Sequence, residues 1–337
     1  MKRIVVTGGS GFVGRAVCEL LARTHPGTRV VVPSRHPDAA RSVMMLPNVD
    51  VVTCQVSDAG ALPALLADAD ALVHLVAVLH GSDTEFDQVH VQLPRQLAAA
   101  VRVAGVSRVV HVSALGVATG SATVAASGPA NGAANGATNS APSAYLRSKS
   151  AGEAVWRESG LDVRILRPSV VFGTQDRFTN LFAQLLKLFP VLPLAGADAR
   201  FQPVWVGDVA AAVVSLLVQA GPAGPSGAVV QAAGPEVLSL GEIVARVGQM
   251  AGCPRPVWPL PEGLGMLQAR LMGWLPGEPL MSRDNLLSMR APNVADPALP
   301  GLASLGIVPA SLALLAPHLA PAQPAYAQSR AQGHRLP

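Results

Sequence analysis

Three residues whose types suit proton transfer occur at informative positions in this sequence. Tyr145 and Lys149 stand four residues apart, so a helix through them places both side chains on one face. A nearby lysine cation is expected to lower the tyrosine pKa from its ordinary value of about 10, which makes a usable acid or base. Ser113 is predicted to end a strand, where its hydroxyl could hold a substrate oxygen. The three predict a catalytic site; a solvated helix face without chemistry is the alternative.

Glycines recur every third residue near the start of the chain. Gly8, Gly11 and Gly14 follow a short apolar run and precede a segment with helical spacing. A side chain in this turn would keep the backbone away from a diphosphate, and the following helix N-terminus offers free N–H groups, including those of Phe12 and Val13, to the anion. The pattern predicts a dinucleotide site, and an ordinary glycine turn is the alternative.

The end of the second predicted strand decides which dinucleotide is favoured. An acidic residue there would bind the ribose 2′-hydroxyl, but the sequence has Ser34 and Arg35. Arg35 could pair with a 2′-phosphate, assisted by Ser34 and Arg15; a solvated surface arginine is the alternative. Asp58, after the third predicted strand, is expected near the adenine edge or as a cap of the next helix. The sequence favours NADP(H) and leaves NAD(H) open.

Alternating strands and helices position these residues. Periodicity predicts strands at residues 4–7, 29–33, 49–54, 71–78, 108–113, 163–166 and 229–232, and helices at residues 12–23, 61–66, 91–104, 145–158, 179–189, 209–220 and 240–251. Such alternation implies a parallel sheet with right-handed crossovers and helices on both faces. The fold class predicted is α/β: a Rossmann doubly wound parallel sheet with a smaller C-terminal α/β substrate domain.

Composition divides the chain into regions. We predict a Rossmann core over residues 1–167, a C-terminal substrate or partner region over 168–320 with some segments returning to the core, and a disordered tail over 321–337. Residues 116–143 contain no charged, aromatic, leucine or isoleucine residue. A segment this small and polar buries too little surface to offset its ordering entropy, so a flexible surface insert is predicted.

Bulk properties exclude several classes of protein. The net charge is +4, but no run of five basic residues occurs, so nucleic-acid binding is not indicated. Cys18, Cys54 and Cys253 lack metal-like spacing and are interpreted as small apolar residues in a reducing compartment; no metal site is predicted. No signal peptide or spanning segment is found, so a cytoplasmic location is expected. The apolar stretch at residues 263–275 leaves a membrane-surface or partner contact open.

Five strings carry a family resemblance: TGGSGFVG, HVSALG, YLRSKSAGE, LRPSVVFG and VWVGDVA occur in the family's order over nearly the whole chain. The sequence resembles an extended or atypical short-chain dehydrogenase/reductase. RPSVVFGTQDRF, RFQPVWVGDVA, SRDNLLSM and LPGLASLGI are most similar to one subgroup, the NADPH-binding accessory subunit of respiratory complex I and its bacterial relatives.

The resemblance implies a Rossmann core with a small substrate domain, and it places Ser113, Tyr145 and Lys149 at the catalytic triad. Tyr145 and Lys149 would also contact the cofactor, and Pro168 would line its nicotinamide end. His90 replaces the asparagine that extended members usually carry, so their proton relay is in question here. The insert between Ser113 and Tyr145 is a second departure.

The leading hypothesis is an NADP(H)-binding oxidoreductase linked to respiratory complex I or ubiquinone metabolism. Its substrate would be a lipophilic carbonyl compound or a quinone-like lipid, and association with a respiratory complex or with the inner face of the membrane is compatible with the sequence. Two alternatives stay open. One is an NAD-dependent sugar-nucleotide epimerase or dehydratase, and the other is a non-catalytic accessory subunit whose cofactor only stabilises the fold.

Overall fold

A computed structural model describes residues 1–117, 141, 143–219, 228–261, 263–266 and 283–321. The predicted insert and tail therefore lie almost wholly outside the described residues. The strands are β1 (Arg3–Thr7), β2 (Arg29–Ser34), β3 (Val49–Thr53), β4 (Ala71–His74), β5 (Arg108–Val112), β6 (Val163–Pro168), β7 (Val171–Phe172), β8 (Leu192–Ala195), β9 (Arg200–Phe201), β10 (Val204–Trp205), β11 (Ala228–Ala232), β12 (Leu238–Ser239) and β13 (Val257–Leu260).

Seven of these strands form one parallel sheet in the order β3-β2-β1-β4-β5-β6-β11. The chain runs outward from β1 through β2 to β3, and then returns to the other side of β1 with β4. This reversal leaves a crevice beyond the carboxyl ends of β1 and β4, where doubly wound sheets bind ligands. The fold prediction is therefore confirmed.

Helices cover both faces of the sheet. They are α1 (Phe12–Thr24), α2 (Arg41–Met44), α3 (Leu62–Leu66), α4 (Asp83–Asp87), α5 (Leu93–Ala104), α6 (Ala144–Glu158), α7 (Arg177–Leu188), α8 (Val206–Val218), α9 (Leu240–Met250), α10 (Arg283–Ser288) and α11 (Ala316–Leu319), with single 3₁₀ turns at Pro37–Ala40, Leu302–Leu305 and Leu312–Leu315. Helices α1 and α8 pack on one face, and α3, α5 and α6 pack on the other.

The strand predicted at residues 71–78 ends early, at His74. The Leu75 amide still donates to the Thr7 carbonyl at 3.0 Å, but the chain then passes over the glycine turn as a loop. An ideal Cβ on Gly8 would lie 3.1 Å from the Leu75 carbonyl carbon, so the two segments are already in close contact. The carboxyl end of β4 thus forms one wall of the crevice.

The helix predicted at residues 91–104 begins earlier than expected. Helix α4 starts after a capping box formed by Ser82 and Glu85, and a π turn at Gln88–Gln92 joins it to α5. The S-x-x-E spacing of Ser82 and Glu85 is a readable N-terminus signal that the periodicity alone missed. Because π turns often occur at functional sites, this junction is a feature of the candidate site.

The C-terminal region forms a second core around α7 and α9, with Phe172, Leu186, Phe201 and Val244 among its buried residues. Strand β11 from this part of the chain joins the large sheet beside β6. The division into domains at residue 167 stays a prediction. Among the described helices, none combines the length and apolarity that a membrane crossing needs.

Candidate functional site

The glycine turn joins β1 to α1 at the crevice. Gly8 has φ +78°, a conformation that L side chains rarely adopt, and a Cβ on Gly14 would overlap the Gly8 carbonyl oxygen. No side chain caps α1 at Gly11. The first-turn amides, which include those of Phe12 and Val13, therefore lie at a helix N-terminus without a side-chain acceptor, as an anion site requires. This cradle fits the diphosphate of a dinucleotide.

The end of β2 carries the residues predicted to read the ribose. Arg35 is exposed directly after the strand, and the Ser34 hydroxyl accepts a hydrogen bond from the His36 amide at 3.2 Å. The Arg15 guanidinium donates to the Ser10 carbonyl and to the Gln175 Oε1, each at 3.0 Å. These bonds hold Arg15 beside the glycine turn, and its assistance to Arg35 stays a prediction.

Asp58 neither caps the next helix nor forms an ion pair in the described part of the chain. Its carboxylate accepts from the Gly60 amide at 2.9 Å, and the residue before α3 is Ala61. The helix-cap alternative for Asp58 is therefore wrong, because its side chain closes a local turn instead. Its predicted place near the adenine edge stays a prediction.

Tyr145 lies in the first turn of α6 and packs in a cluster of three rings. Phe86 and His90 are stacked with centroids 5.7 Å apart, and the tyrosine ring meets His90 edge-on at 5.6 Å and Phe86 at 6.2 Å. None of the hydrogen bonds among the described residues involves the Tyr145 hydroxyl. The ring is thus held by aromatic contacts while its hydroxyl stays available.

The hydrogen bonds of His90 define its tautomer. The Val78 amide donates to Nε2 at 3.2 Å, so Nε2 carries no proton. The Ser148 hydroxyl donates its one hydrogen to the Tyr145 carbonyl at 2.8 Å, so it must accept from His90 Nδ1, also at 2.8 Å. His90 thus fixes the Ser148 hydroxyl that supports the Tyr145 backbone, at the place where the resemblance leads us to expect an asparagine.

Lys149 is buried one turn farther along α6. Its Nζ donates to the Val112 carbonyl, at the end of β5, at 3.0 Å. Burial lowers the Lys149 pKa to about 8, and the nearby Glu153 carboxylate opposes the shift. Most Lys149 side chains are therefore charged at pH 7, which places a cation directly behind the crevice.

Glu153 is buried one turn beyond Lys149 and is held by arginines. Arg167 donates to both of its oxygens, at 2.8 and 2.6 Å, and Arg157 donates at 2.5 Å. Burial alone would raise the Glu153 pKa, but the hydrogen bonds and charge of Arg167 outweigh it and the pKa is lowered. The cluster is a buried ionic network that ties α6 to β6.

Ser113 lies beside this network. Its amide donates to the Leu166 carbonyl at 2.8 Å, and its buried hydroxyl makes no hydrogen bond of normal geometry. The hydroxyl is nevertheless close enough to Glu153 to favour the charged carboxylate and so lower its pKa. Contact with a substrate oxygen stays a prediction for Ser113, whereas its position beside the Glu153 carboxylate is a feature of the fold.

The prediction that Lys149 lowers the Tyr145 pKa is wrong for this structure. Burial raises the Tyr145 pKa to about 12, because the ionised phenol would lose its hydration among Phe86 and His90. The helical spacing correctly placed the two residues on one helix, but burial, which spacing does not reveal, dominates the pKa. At neutral pH Tyr145 is a protonated hydroxyl that can donate a proton.

A row of buried polar side chains runs under the same edge of the sheet. Thr7, His74 and His111 occupy paired positions on β1, β4 and β5, and the two imidazoles stack at 5.3 Å. The Thr7 Oγ1 lies 2.9 Å from the His74 Nδ1. Burial, followed by the charge of Lys149, lowers the pKa of His74 to about 3 and that of His111 well below its ordinary value.

These histidines predict a loss of stability in acid. Burial, with Lys149 next in effect, also lowers the His90 pKa to about 3, so all three imidazoles stay neutral in the folded chain and charge on unfolding below pH 6.5. Because the unfolded state then binds more protons, the free energy of unfolding should fall by roughly 1.4 kcal/mol per histidine for each pH unit below 6.5.

Urea unfolding between pH 7.5 and 5 measures this slope. Substituting His111→Phe should reduce the slope by the contribution of about one proton, roughly 1.4 kcal/mol per pH unit. Equal slopes in the wild-type and His111→Phe proteins would show that His111 is already accessible to protons in the folded state.

Polar residues farther along the chain also have structural partners. Asp208 accepts from the Ala310 amide at 2.7 Å, and Gln202 donates to the Gly234 carbonyl at 2.7 Å and accepts from the Ala295 amide. Cys18 is buried, which raises its pKa to about 12 and keeps it an unreactive thiol. Within the described ranges, no group of three or more His, Cys, Asp or Glu side chains could hold a metal ion.

Sequence reasoning missed four residues of this site. The paired histidines could have been anticipated, because His74 and His111 each lie near the end of a predicted strand. Glu153 could also have been noticed, because it follows Lys149 at helical spacing. Asp284, whose carboxylate contacts the start of α6, gave no signal because it lies about 140 positions away in the chain.

The doubly wound sheet, the glycine cradle at its crevice and the Tyr145–Lys149 pair together define a nucleotide-binding Rossmann protein. The chain belongs to the NAD dependent epimerase/dehydratase family, whose sequence model matches residues 4–231. Membership in this family confirms the resemblance to short-chain dehydrogenase/reductases drawn from the motifs.

Individual relatives extend the comparison. The rat mitochondrial NADH dehydrogenase [ubiquinone] 1 alpha subcomplex subunit 9 is 30% identical over 92% of this chain and 77% of its own. A ceramide reductase of Caulobacter vibrioides is 29% identical over 63% of this chain and 60% of its own. An Escherichia coli NADPH-dependent quinone oxidoreductase, solved with NADPH, has the same fold, with a TM-score of 0.71 at 20% identity over 94% of this chain and 99% of its own.

Proposed function

We propose that this protein is an NADPH-dependent reductase of a lipophilic carbonyl or quinone-like substrate, working near respiratory complex I or ubiquinone metabolism. One observation carries the proposal. A protonated tyrosine, with its hydroxyl free of hydrogen bonds to the described residues, lies one helical turn from a buried lysine at the crevice edge of the sheet. A tyrosine hydroxyl in this position can donate a proton to a carbonyl oxygen, and the lysine cation nearby would stabilise the tyrosinate that results.

Each residue has a defined part in the proposed reaction. The glycine turn would bind the diphosphate, and a bound nicotinamide would supply the hydride that reduces the substrate. Tyr145 donates its phenolic proton to the carbonyl oxygen. Lys149 supplies positive charge that stabilises the tyrosinate left behind.

The residue after β2 favours a reductase over the alternative epimerase or dehydratase. A sugar-nucleotide epimerase would hold NAD tightly, and tight NAD binding would favour an acidic residue at the end of β2. Arg35 stands there instead and could pair with the 2′-phosphate of NADPH. This feature supports a reductase.

The substrate and its setting are proposed from the relatives. Phe86 and His90 are buried behind Tyr145, so their rings hold the proton donor in place and are not offered as a substrate surface. The relatives include a protein named as a subunit of mitochondrial NADH dehydrogenase and another named as a ceramide reductase. These names support a lipophilic substrate and a setting close to respiratory complex I.

The proposal is tested with purified wild-type protein. Any co-purified nucleotide is identified, and NADPH oxidation is followed with ubiquinone analogues and with aromatic and long-chain carbonyl compounds. Conversion of UDP-glucose to another sugar nucleotide is followed separately, by chromatography. Turnover of a quinone or carbonyl compound with NADPH supports a reductase. Tightly bound NAD with sugar-nucleotide turnover would establish the epimerase instead. Firm NADPH binding without oxidation of the NADPH by any of these compounds would favour the non-catalytic accessory subunit.

Arg35 is predicted to select NADPH. Replacing it with alanine removes a guanidinium that can pair with the 2′-phosphate, so the Kd for NADPH should rise about 10- to 100-fold, as for a lost charge-assisted pair. The Kd for NADH should change less than about twofold, because NADH lacks that phosphate. Calorimetric titration of both cofactors measures the two values.

Arg41→Ala is the matched control, because this nearby arginine is exposed and pairs with Asp38 at 3.6 Å. It should bind both cofactors as the wild type does. An equal loss of NADPH and NADH affinity in Arg35→Ala would show that this side chain supports the cofactor site without reading the phosphate.

A further inference from the structure

The first turn of α6 is capped from two different parts of the chain. The Ser143 hydroxyl accepts from the Leu146 amide at 3.1 Å, as a local cap does. The Asp284 carboxylate accepts from the other two amides of this turn, Ala144 at 2.7 Å and Tyr145 at 3.1 Å. Helices α4, α7 and α9, in contrast, have side-chain caps from the residue immediately before each helix.

Asp284 is anchored in the C-terminal region. It lies at the start of α10, whose Leu286 is buried against Ala195 of β8, and Met289 packs close to Gly196. Helix α6, in contrast, packs on the Rossmann sheet through Trp156 and its neighbours. The contact between Asp284 and α6 therefore joins the C-terminal region to the helix that carries the proposed proton donor.

Both backbone polar groups of Tyr145 are consequently held by side chains from other elements or turns. Asp284 accepts from its N–H, and the Ser148 hydroxyl, itself fixed by His90, donates to its carbonyl. This matters because the terminal turn of a helix opens most easily. Lys149, one turn deeper, is anchored independently at the Val112 carbonyl. Opening of the first turn would thus move Tyr145 away from Lys149.

We infer that Asp284 is a positioning residue for catalysis: its carboxylate keeps the first turn of α6 wound and so holds the Tyr145 hydroxyl in register with Lys149. The negative charge at a helix N-terminus adds a favourable interaction with the helix dipole. The inference rests on the proposed role of Tyr145 as proton donor, and it assigns a function to the Asp of the SRDNLLSM string.

The first test separates positioning from general stability. In Asp284→Ala, kcat for NADPH-dependent reduction should fall about 10- to 100-fold, the scale on which small misplacements slow catalysis, with the KM for NADPH unchanged. Asp284→Asn retains one acceptor oxygen and should recover part of the lost kcat. Ser239→Ala removes the hydroxyl that caps α9, so it should lower Tm comparably while leaving kcat unchanged.

The second test needs no turnover. Hydrogen exchange at the Ala144 and Tyr145 amides should be at least about tenfold faster in Asp284→Ala, while the amides of the later turns of α6 keep their protection. Unchanged exchange at these two amides would overturn the inference whether or not the protein is active. Wild-type kcat in Asp284→Ala would overturn it while leaving the proposed function intact. A wild-type protein without turnover would instead contradict the proposed function.

Discussion

Replacing Tyr145 with phenylalanine is expected to lower kcat by two to four orders of magnitude, the range that general acid catalysis typically supplies. The Kd for NADPH should stay within about threefold of the wild-type value, because the diphosphate is bound by the glycine turn of α1. Single-turnover oxidation of bound NADPH, followed by absorbance, separates the chemical step from binding.

The structure indicates that Tyr145→Phe removes the hydroxyl while it keeps the other contacts of the residue. Phenylalanine keeps the ring that packs edge-on against His90 and Phe86, and the backbone bonds of residue 145 to Asp284 and Ser148 do not involve the hydroxyl. No hydrogen bond to a described residue is lost with the hydroxyl, so stability should change little. The loss of rate would therefore report the missing proton.

Ser239→Ala provides the control, because it removes a hydroxyl at the start of α9, and it should leave kcat unchanged. If Tyr145→Phe kept wild-type turnover, another group would have to donate the proton, and the assignment of Tyr145 would be wrong.

The second large effect is expected at the buried ionic network of α6. Glu153→Ala should lower the free energy of unfolding by about 3–5 kcal/mol, because it leaves the almost fully buried Arg167 guanidinium without its carboxylate. Urea unfolding at pH 7 measures this difference. The expected loss of stability is large because of burial. The substitution removes the attraction between the two charges, and it also leaves the Arg167 guanidinium unpaired where water cannot reach it.

An exposed pair of the same chemistry gives the control. Glu236 and Arg246 meet at 2.6 Å with about two-fifths of each side chain exposed. Breaking that pair with Glu236→Ala should cost less than about 1 kcal/mol, because solvent screens both charges. Similar losses in the two variants would mean that water reaches Glu153 and that the network is not sealed.

Glu153 affects the pKa of Lys149 as well as the stability of the fold. Its charge raises the Lys149 pKa against the effect of burial. Removing it should therefore lower that pKa below about 8 and reduce the charged fraction of Lys149 at neutral pH. In the conservative Glu153→Gln variant, the pH above which kcat/KM declines should move downward if the charged lysine is the active form.

Local patterns were sufficient to predict the parts of the fold that depend on nearby residues. The strand–glycine turn–helix unit, the alternating elements and the shared helix of Tyr145 and Lys149 follow from spacings of a few residues, and the structure contains each of them. The short strands β7 to β10, β12 and β13 were not predicted, because two to four residues are too few to show a period.

The sequence by itself determined the class of the protein. Glycine is required at positions 8 and 14 because a Cβ at either position would crowd the neighbouring backbone of the turn. Only the tertiary structure decided the chemistry of the individual groups. Burial raises the Tyr145 pKa, Ser113 lies beside Glu153, and Asp284 reaches the start of α6 from a distant segment. Desolvation and charge act through space, and the neighbours that cause them are separated by many residues along the chain.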